Sequence, residues 1–170
     1  MKKRLLSMLL VLVMALGLIP TTAFAAQTEE EALGEIDIYN GGVKMSYLSI
    51  NGRIREQNYV YYNYVSPTGK VKEIPAYCVN PNDKGVAQCV PEGESIKYLA
   101  DEKAADPKIT GIIANGYPNR GLSELGLENR YHAYYATKMA LWCYLLSHWD
   151  INNLKVNPNL TGLELQRAQK

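Results

Sequence analysis

Apolar and polar positions alternate through the first half of the chain and recur at helical spacing in the second. Glu35 to Tyr39 predicts a first strand, and after Asn40-Gly41-Gly42 the alternation resumes from Val43 to Ile50. Asn51-Gly52 then supplies the residue pair that best tolerates the left-handed backbone of a two-residue hairpin, so a partner strand is expected from Arg53. Glu56 to Val65 contains Tyr59-Val60-Tyr61-Tyr62-Asn63-Tyr64, a run of aromatic and branched residues that favours a half-buried pleated surface. Ser66-Pro67-Thr68-Gly69 turns the chain, and Val71 to Val79 returns as the next strand. The expected product is an antiparallel meander, followed by a loop from Asn80 to Glu94.

From Ser95 the period changes. Ser95 is placed to cap a short helix through Ala104 with Ile96, Leu99 and Ala100 on one face. Asp106-Pro107 begins a second helix with Ile109, Ile112 and Ile113 inward; it ends at Asn115-Gly116, where Gly116 supplies a left-handed C-cap and Pro118 blocks continuation. Asn129 to Trp149 contains neither Pro nor Gly and predicts one long buried helix. Asn152-Asn153 and Asn157-Pro158-Asn159 punctuate a further connection, and Thr161 to Lys170 begins an amphipathic helix. Strands first and helices second make the fold class α+β, an antiparallel β-rich subdomain followed by a helical one.

The N-terminus changes the compartment. Lys2, Lys3 and Arg4 form a basic n-region, Leu5 to Leu18 an apolar h-region, and Ala23-Phe24-Ala25 a cleavage site, so residues 1–25 are expected to be a signal peptide and the protein to be secreted. Residues 26–34, with Glu29-Glu30-Glu31 in a row, form a flexible leader, and residues 35–170 one module. The terminal helix stops without a cap, so the module is expected to continue beyond Lys170. Without the signal peptide 15 basic residues face 17 acidic ones, a net charge of −2 that argues against nucleic acid as a partner. The mature chain holds no apolar run of membrane-spanning length, so membrane insertion of the domain is not expected.

Candidate chemistry centres on Tyr77-Cys78-Val79-Asn80-Pro81, where a strand ends in a cysteine and Asn-Pro forces a turn. Three cysteines leave at least one unpaired within a chain: Cys78 and Cys89 are either bridged or free, and Cys143 reads as a buried apolar residue. His132 or His148 can serve as a base for Cys78, oriented by Asn80 or Asn129, which would make the protein a cell-wall cysteine hydrolase or transferase. The Tyr59–Tyr64 run allows a third class, a non-covalent carbohydrate- or protein-binding module. Asn82-Asp83-Lys84-Gly85 lacks a full calcium ligand set, and no metal is expected. Lys138 lies at helical spacing from Tyr134, Tyr135, Leu141 and Trp142; its ammonium either snorkels to solvent, rests on an aromatic face, or is buried near Cys78 with a lowered pKa.

Tyr77-Cys78-Val79-Asn80 followed by Pro81, then Ala114-Asn115-Gly116-Tyr117-Pro118, then Tyr135-Ala136-Thr137-Lys138-Met139-Ala140-Leu141-Trp142 resemble, in order, the signatures of the thioester domain of Gram-positive surface adhesins, the Cys-Gln or TQxA type. The resemblance runs from about Ile36 to Trp149. It implies a β-rich subdomain packed on a helical one, with a thioester between them formed from a cysteine sulfur and a glutamine side chain with loss of ammonia. Cys78 would be the nucleophile, Tyr77, Asn80 and Pro81 its motif, and Thr137, Lys138, Ala140 and Trp142 the TQxA-like helix. The implied activity is a single covalent capture of a lysine amine on a host surface or matrix protein, without a cofactor and without turnover, at the exposed tip of a wall-anchored protein. Two features depart from the family pattern: Lys138 stands where the family has glutamine, and the acyl-donor glutamine is unidentified and expected beyond Lys170.

Overall fold

The computed structural model describes residues 35–99 and 102–169; the expected signal peptide and leader lie outside the described residues. Strands β1 (Glu35–Met45), β2 (Leu48–Ile50), β3 (Arg53–Ile54), β4 (Gln57–Val65) and β5 (Val71–Pro75) come first. A one-turn helix α1 (Val86–Cys89) and strand β6 (Ser95–Leu99) precede the helices α2 (Pro107–Ala114) and α3 (Arg130–Leu145). Strand β7 (Leu154–Val156) and helix α4 (Gly162–Ala168) follow. One antiparallel sheet has the order β5-β4-β1-β6 and a second the order β3-β2-β7. The fold is α+β, with β6 and β7 returning to the sheets after the chain has left them.

The turns follow their residues. Asn51 and Gly52 both have positive φ, 51° and 73°, as a hairpin that pairs Ile50 directly with Arg53 requires. The β4–β5 turn closes through Gly69 N–H donating to Ser66 O at 2.8 Å. Asn40-Gly41-Gly42, expected to end the first strand, is instead a bulge inside β1: the register against β4 slips between Asn40↔Val60 and Lys44↔Asn58. The Asn40 side chain accepts from Gly42 N–H at 3.1 Å and donates to Val90 O at 3.0 Å, which ties the bulge to the loop after α1.

The short helix expected from Ser95 is not formed. Residues 95–99 pair with β1 from Glu35↔Leu99 to Tyr39↔Ser95, and a 3₁₀ turn follows at Glu102–Ala105. The outer edge of β1 offers a row of backbone donors and acceptors, and Ile96 pairs across it with Ile38; that ladder outweighs a weak local helix preference. β7 was hidden for the same reason, since a three-residue strand carries no period of its own and exists through its pairing with β2.

Helix α2 begins where expected, with Pro107 in its first turn and the Asp106 carboxylate accepting from Lys108 N–H at 2.7 Å. The other Asp106 oxygen accepts from the Tyr144 hydroxyl at 2.8 Å and links α2 to α3. Helix α3 is capped by Asn129, whose side chain accepts from Tyr131 N–H at 2.7 Å. It ends at Leu145 rather than Trp149, because the chain folds back to bury Trp149 against Trp142 and under Arg55.

Two apolar clusters meet along α3. Tyr134, Tyr135 and Met139 join Met45, Ile50, Tyr59, Val60, Val86 and Trp149 of the sheet side. Leu141 joins Val79 and Ile109, with Ile112, Ile113 and Leu145 packed around them. A helix buried toward both sheets and toward α2 has little polar face, which explains its unbroken aromatic sequence.

Gly116 does not adopt the left-handed conformation expected of it; its importance is space. A Cβ there would lie 2.4 Å from Thr137 Cγ2 and 3.1 Å from Ile112 O. Thr137 cannot swing away, because its hydroxyl accepts from Tyr117 N–H at 3.0 Å and donates to Ala133 O at 2.9 Å. Gly116→Ala should therefore cost about 1–3 kcal/mol by overpacking. Chemical denaturation checks this, and an unchanged midpoint would refute the close approach.

Candidate functional site

Pro75 ends β5, and Ala76 N–H makes the last ladder-like bond, to Val60 O at 3.0 Å. Cys78 thus lies three residues past the strand instead of on it, in a segment held by the helices. Each residue of that segment has its own restraint. The Tyr134 hydroxyl reaches Ala76 O at 3.2 Å. The Tyr77 ring stacks on that of Tyr134 with centroids 5.0 Å apart, and its hydroxyl donates to Tyr117 O at 2.5 Å. The Trp142 indole N–H donates to Cys78 O at 3.1 Å. Val79 is buried in the α2–α3 cluster.

The Cys78 thiol is half-buried and donates to Asn80 O at 3.2 Å, so the turn after the cysteine aims its sulfur. The Asn80 side-chain oxygen pairs with the Lys103 ammonium, and Pro81 lines a neighbouring cleft. Cys78, Cys89 and Cys143 are all free thiols, so the Cys78–Cys89 bridge that the sequence left open is not formed. Burial pushes the Cys143 thiol up, in keeping with a packing role.

Of the TQxA-like residues, Trp142 holds the Cys78 backbone directly. Thr137 acts one step away, fixing Tyr117, whose carbonyl holds Tyr77. Ala140 is half-buried on α3. Lys138 is 6% exposed and does not snorkel. Its Nζ donates to the Tyr134 hydroxyl at 3.4 Å and sits 5.5 Å and 5.3 Å from the ring centroids of Tyr134 and Trp142. Its ammonium therefore shares both aromatic partners with the backbone at residues 76 and 78. Burial pulls its pKa from 10.5 down to about 8, and the negative charge of a Cys78 thiolate acts in the opposite direction. Burial also raises the Tyr134 phenol well above its usual range, so it stays neutral beside the ammonium.

The histidines stand elsewhere. His132 is buried at the start of α3, its ring 4.0 Å from that of Tyr47 and its Nε2 3.4 Å from a Glu164 carboxylate oxygen; burial lowers its pKa despite that neighbour. His148 lies beyond the end of α3, exposed beside Trp149, and not on the helix where the sequence put it. Within the Tyr59–Tyr64 run Tyr59 is core, its hydroxyl donating to Glu73 at 2.8 Å, while Tyr61 and Tyr62 are half-buried and Tyr64 is exposed; Tyr59, Tyr61 and Tyr39 stack along the sheet. Sequence reasoning missed Tyr134 and Tyr117 as partners of the cysteine segment, since neither spacing nor residue type links them to it. No helix among the described residues is long and apolar enough to cross a membrane.

The Lys138 environment gives a pH signature. Below about pH 8 the lysine is protonated in both folded and unfolded chains; between about 8 and 10.5 the unfolded chain holds the proton and the folded chain does not. Stability contributed by this site should therefore rise with pH across that window, by on the order of 3 kcal/mol. Unfolding free energies of the wild type minus those of Lys138→Met, taken at several pH values, isolate it from tyrosine ionisation. A flat difference would mean the ammonium is not buried.

The family model described as "TED: Thioester domain" matches residues 75–164, more than half of the chain. Comparison with curated proteins gives no match. Among solved structures, the thioester domain of the Enterococcus faecium TIE86 protein is similar, with a TM-score of 0.53 and 19% identity over 79% of this chain. That similarity carries the fold, and this chain spans about half of the solved one, 46% of its length. The matched residues take in the whole segment from Pro75 past the Trp142 clamp, and the chain belongs to the thioester domain family.

Proposed function

We propose that this chain is the reactive domain of an exported surface adhesin, in which Cys78 forms a thioester with a glutamine side chain and then captures an amine of a host surface or matrix protein. The observation that carries this reading is the hold on Cys78: a half-buried thiol whose carbonyl is fixed by Trp142 and whose preceding residues are fixed by Tyr134 and Tyr117. Such a cysteine keeps its position while its acyl partner changes. In this reading the acyl-donor glutamine lies beyond Lys170.

Bond formation joins Sγ to the glutamine Cδ, breaks the Cδ–N bond and releases ammonia that carries the thiol proton. Capture reverses the roles: the incoming nitrogen bonds to Cδ, the C–S bond breaks, and the proton lost by nitrogen ends on sulfur. A thioester is less resonance-stabilised than an amide and expels a better leaving group, so capture runs without an outside energy source. The domain reacts once. A hydrolase reading finds no support, since among the described residues neither His132 nor His148 makes a hydrogen bond or ring contact with Cys78.

Lys138 is the group we assign to the proton transfers. With a pKa of about 8, roughly a tenth of it is neutral at pH 7. That fraction accepts the proton of the attacking nitrogen and returns it to sulfur.

Two measurements test the proposal. The intact full-length protein should weigh about 17 Da less than its sequence, the mass of the ammonia lost. Methylamine should abolish that deficit and leave a Cys78 thiol open to alkylation, and Cys78→Ala should show neither effect. A full-length protein without the deficit would sink the thioester. Second, capture of hydroxylamine, which stays unprotonated through this range, should accelerate through an inflection near pH 8 that Lys138→Gln removes. An inflection that survives the substitution would acquit Lys138.

A further inference from the structure

A cleft of about 430 Å³ opens where the hairpin that follows β2, the turn after Cys78 and the end of α3 meet. Its lining includes Arg55, Gln57, Pro81, Trp142, His148 and Trp149. Trp142 is also the residue that holds Cys78 O, and Pro81 is three residues beyond the cysteine, so the cleft adjoins the reactive segment. None of the thioester chemistry above uses it.

One of its polar groups, Arg55, has unused hydrogen-bonding capacity. Arg55 lies over Trp149 with its guanidinium carbon 4.4 Å from the ring centroid, and its Nε is enclosed without an acceptor. Among the described residues no carboxylate pairs with it. The backbone of Arg55 is pinned at both ends, N–H to Leu48 O at 2.9 Å and C=O accepting from the Tyr135 hydroxyl at 2.6 Å, so the side chain starts from a fixed position. Gln57 also lines the cleft; it is 4% exposed overall, and its carboxamide is not among the enclosed groups that lack a partner, so it can donate to a ligand in the cleft. The acid that lines the cleft, Glu56, is engaged by Lys44 Nζ at 2.8 Å on the surface. An enclosed guanidinium nitrogen is normally satisfied, and leaving one unpaired costs stability, so the Arg55 guanidinium has the capacity to take an acceptor that a ligand supplies. The volume falls within the usual range for a ligand site, and an aromatic floor with a few fixed polar groups is its usual make-up.

We propose that the cleft is a subsite for an acidic side chain of the captured protein: its carboxylate pairs with the Arg55 guanidinium and accepts from the Gln57 carboxamide, and its aliphatic part rests on Trp149. The captured amine would thus be selected by a carboxylate nearby in the same polypeptide. The identity of the partner rests on the thioester reading; the binding does not, and is measured without it.

The experiment uses the intact protein carrying Cys78→Ala, so that no covalent bond contributes. A short lysine-containing peptide bearing glutamate is titrated by calorimetry against the same peptide bearing glutamine, with acetate alone as a third arm. Trp142 and Trp149 are the two tryptophans of the chain and both line the cleft, so their fluorescence gives a second readout. The glutamate peptide should bind at least about tenfold more tightly than the glutamine peptide and shift the tryptophan emission, as loss of a charged hydrogen bond predicts. Acetate should compete only weakly. Arg55→Met and Gln57→Met, each checked for an unchanged unfolding transition, should remove the preference. Equal binding of the two peptides, or a preference that survives Arg55→Met, overturns the subsite. So does tryptophan emission in the intact protein that acrylamide cannot quench, because the protein's own chain would then fill the cleft.

Discussion

An indole N–H bonded to a cysteine carbonyl is a small interaction, about 1 kcal/mol in most settings, yet the geometry of this molecule depends on the one between Trp142 and Cys78. The segment from Ala76 to Val79 has left the sheet and makes no ladder of its own. Its path is fixed by hydrogen bonds to positions 40, 58 and 64 residues away: the Tyr77 hydroxyl donates out to Tyr117 O, and the side chains of Tyr134 and Trp142 donate in to Ala76 O and Cys78 O. Two of those three come from one face of α3. The sheet delivers the cysteine to the right neighbourhood, and the helix decides where its backbone stops. Gly116 and Thr137 belong to the same device, because the close approach of α2's end to α3 sets the height of the Tyr117 carbonyl.

Lys138 makes this device unusual electrostatically. A buried ammonium needs either a carboxylate or many dipoles, and here it has two ring faces and one phenol oxygen. Ring quadrupoles attract a cation but do not replace its hydration, so desolvation wins and the pKa falls. Tyr134 is pushed the opposite way by the same burial and cannot become the missing anion. The result is a titratable amine poised close to neutrality, within electrostatic reach of a thiol, on an element that cannot move without unpacking both apolar clusters. A glutamine at this position would make the same helix without that charge.

Local chemistry in the sequence marked some parts of the fold and not others. The Asn51-Gly52 hairpin, the Asp106-Pro107 helix start and the Asn129-capped aromatic helix were legible because each depends on residues within a few positions of it. β6 and β7 were not, because each is a strand only through an edge supplied by a distant segment. The cysteine motif and the Trp142 helix could be singled out as chemistry, but their contact could not, since nothing in a period of two or 3.6 says which side chain meets which carbonyl. The misplacement of Cys78 on a strand has the same origin: Pro75 ends the paired run, and only the tertiary clamp explains the extended path beyond it. Arg55 and Gln57 gave no sign at all, being ordinary residues beside a hairpin until Trp149 folds back over them.

That fold-back has a consequence for how the site and the cleft relate. Trp142 uses its N–H on Cys78 O and its ring on three neighbours, the Lys138 ammonium, Trp149 and the cleft. A rigid bicyclic ring cannot tilt toward one of these without moving at the others, so displacement of Trp149 would be felt at the cysteine carbonyl through an edge contact whose centroids lie 5.8 Å apart. An occupant of the cleft that displaced Trp149 would therefore be felt near the thiol through these contacts alone, with no change of secondary structure required. The path runs through side chains that are packed or half-buried, and it needs the whole of α3 in place, since the same helix carries Tyr134 into the cluster that holds Trp149.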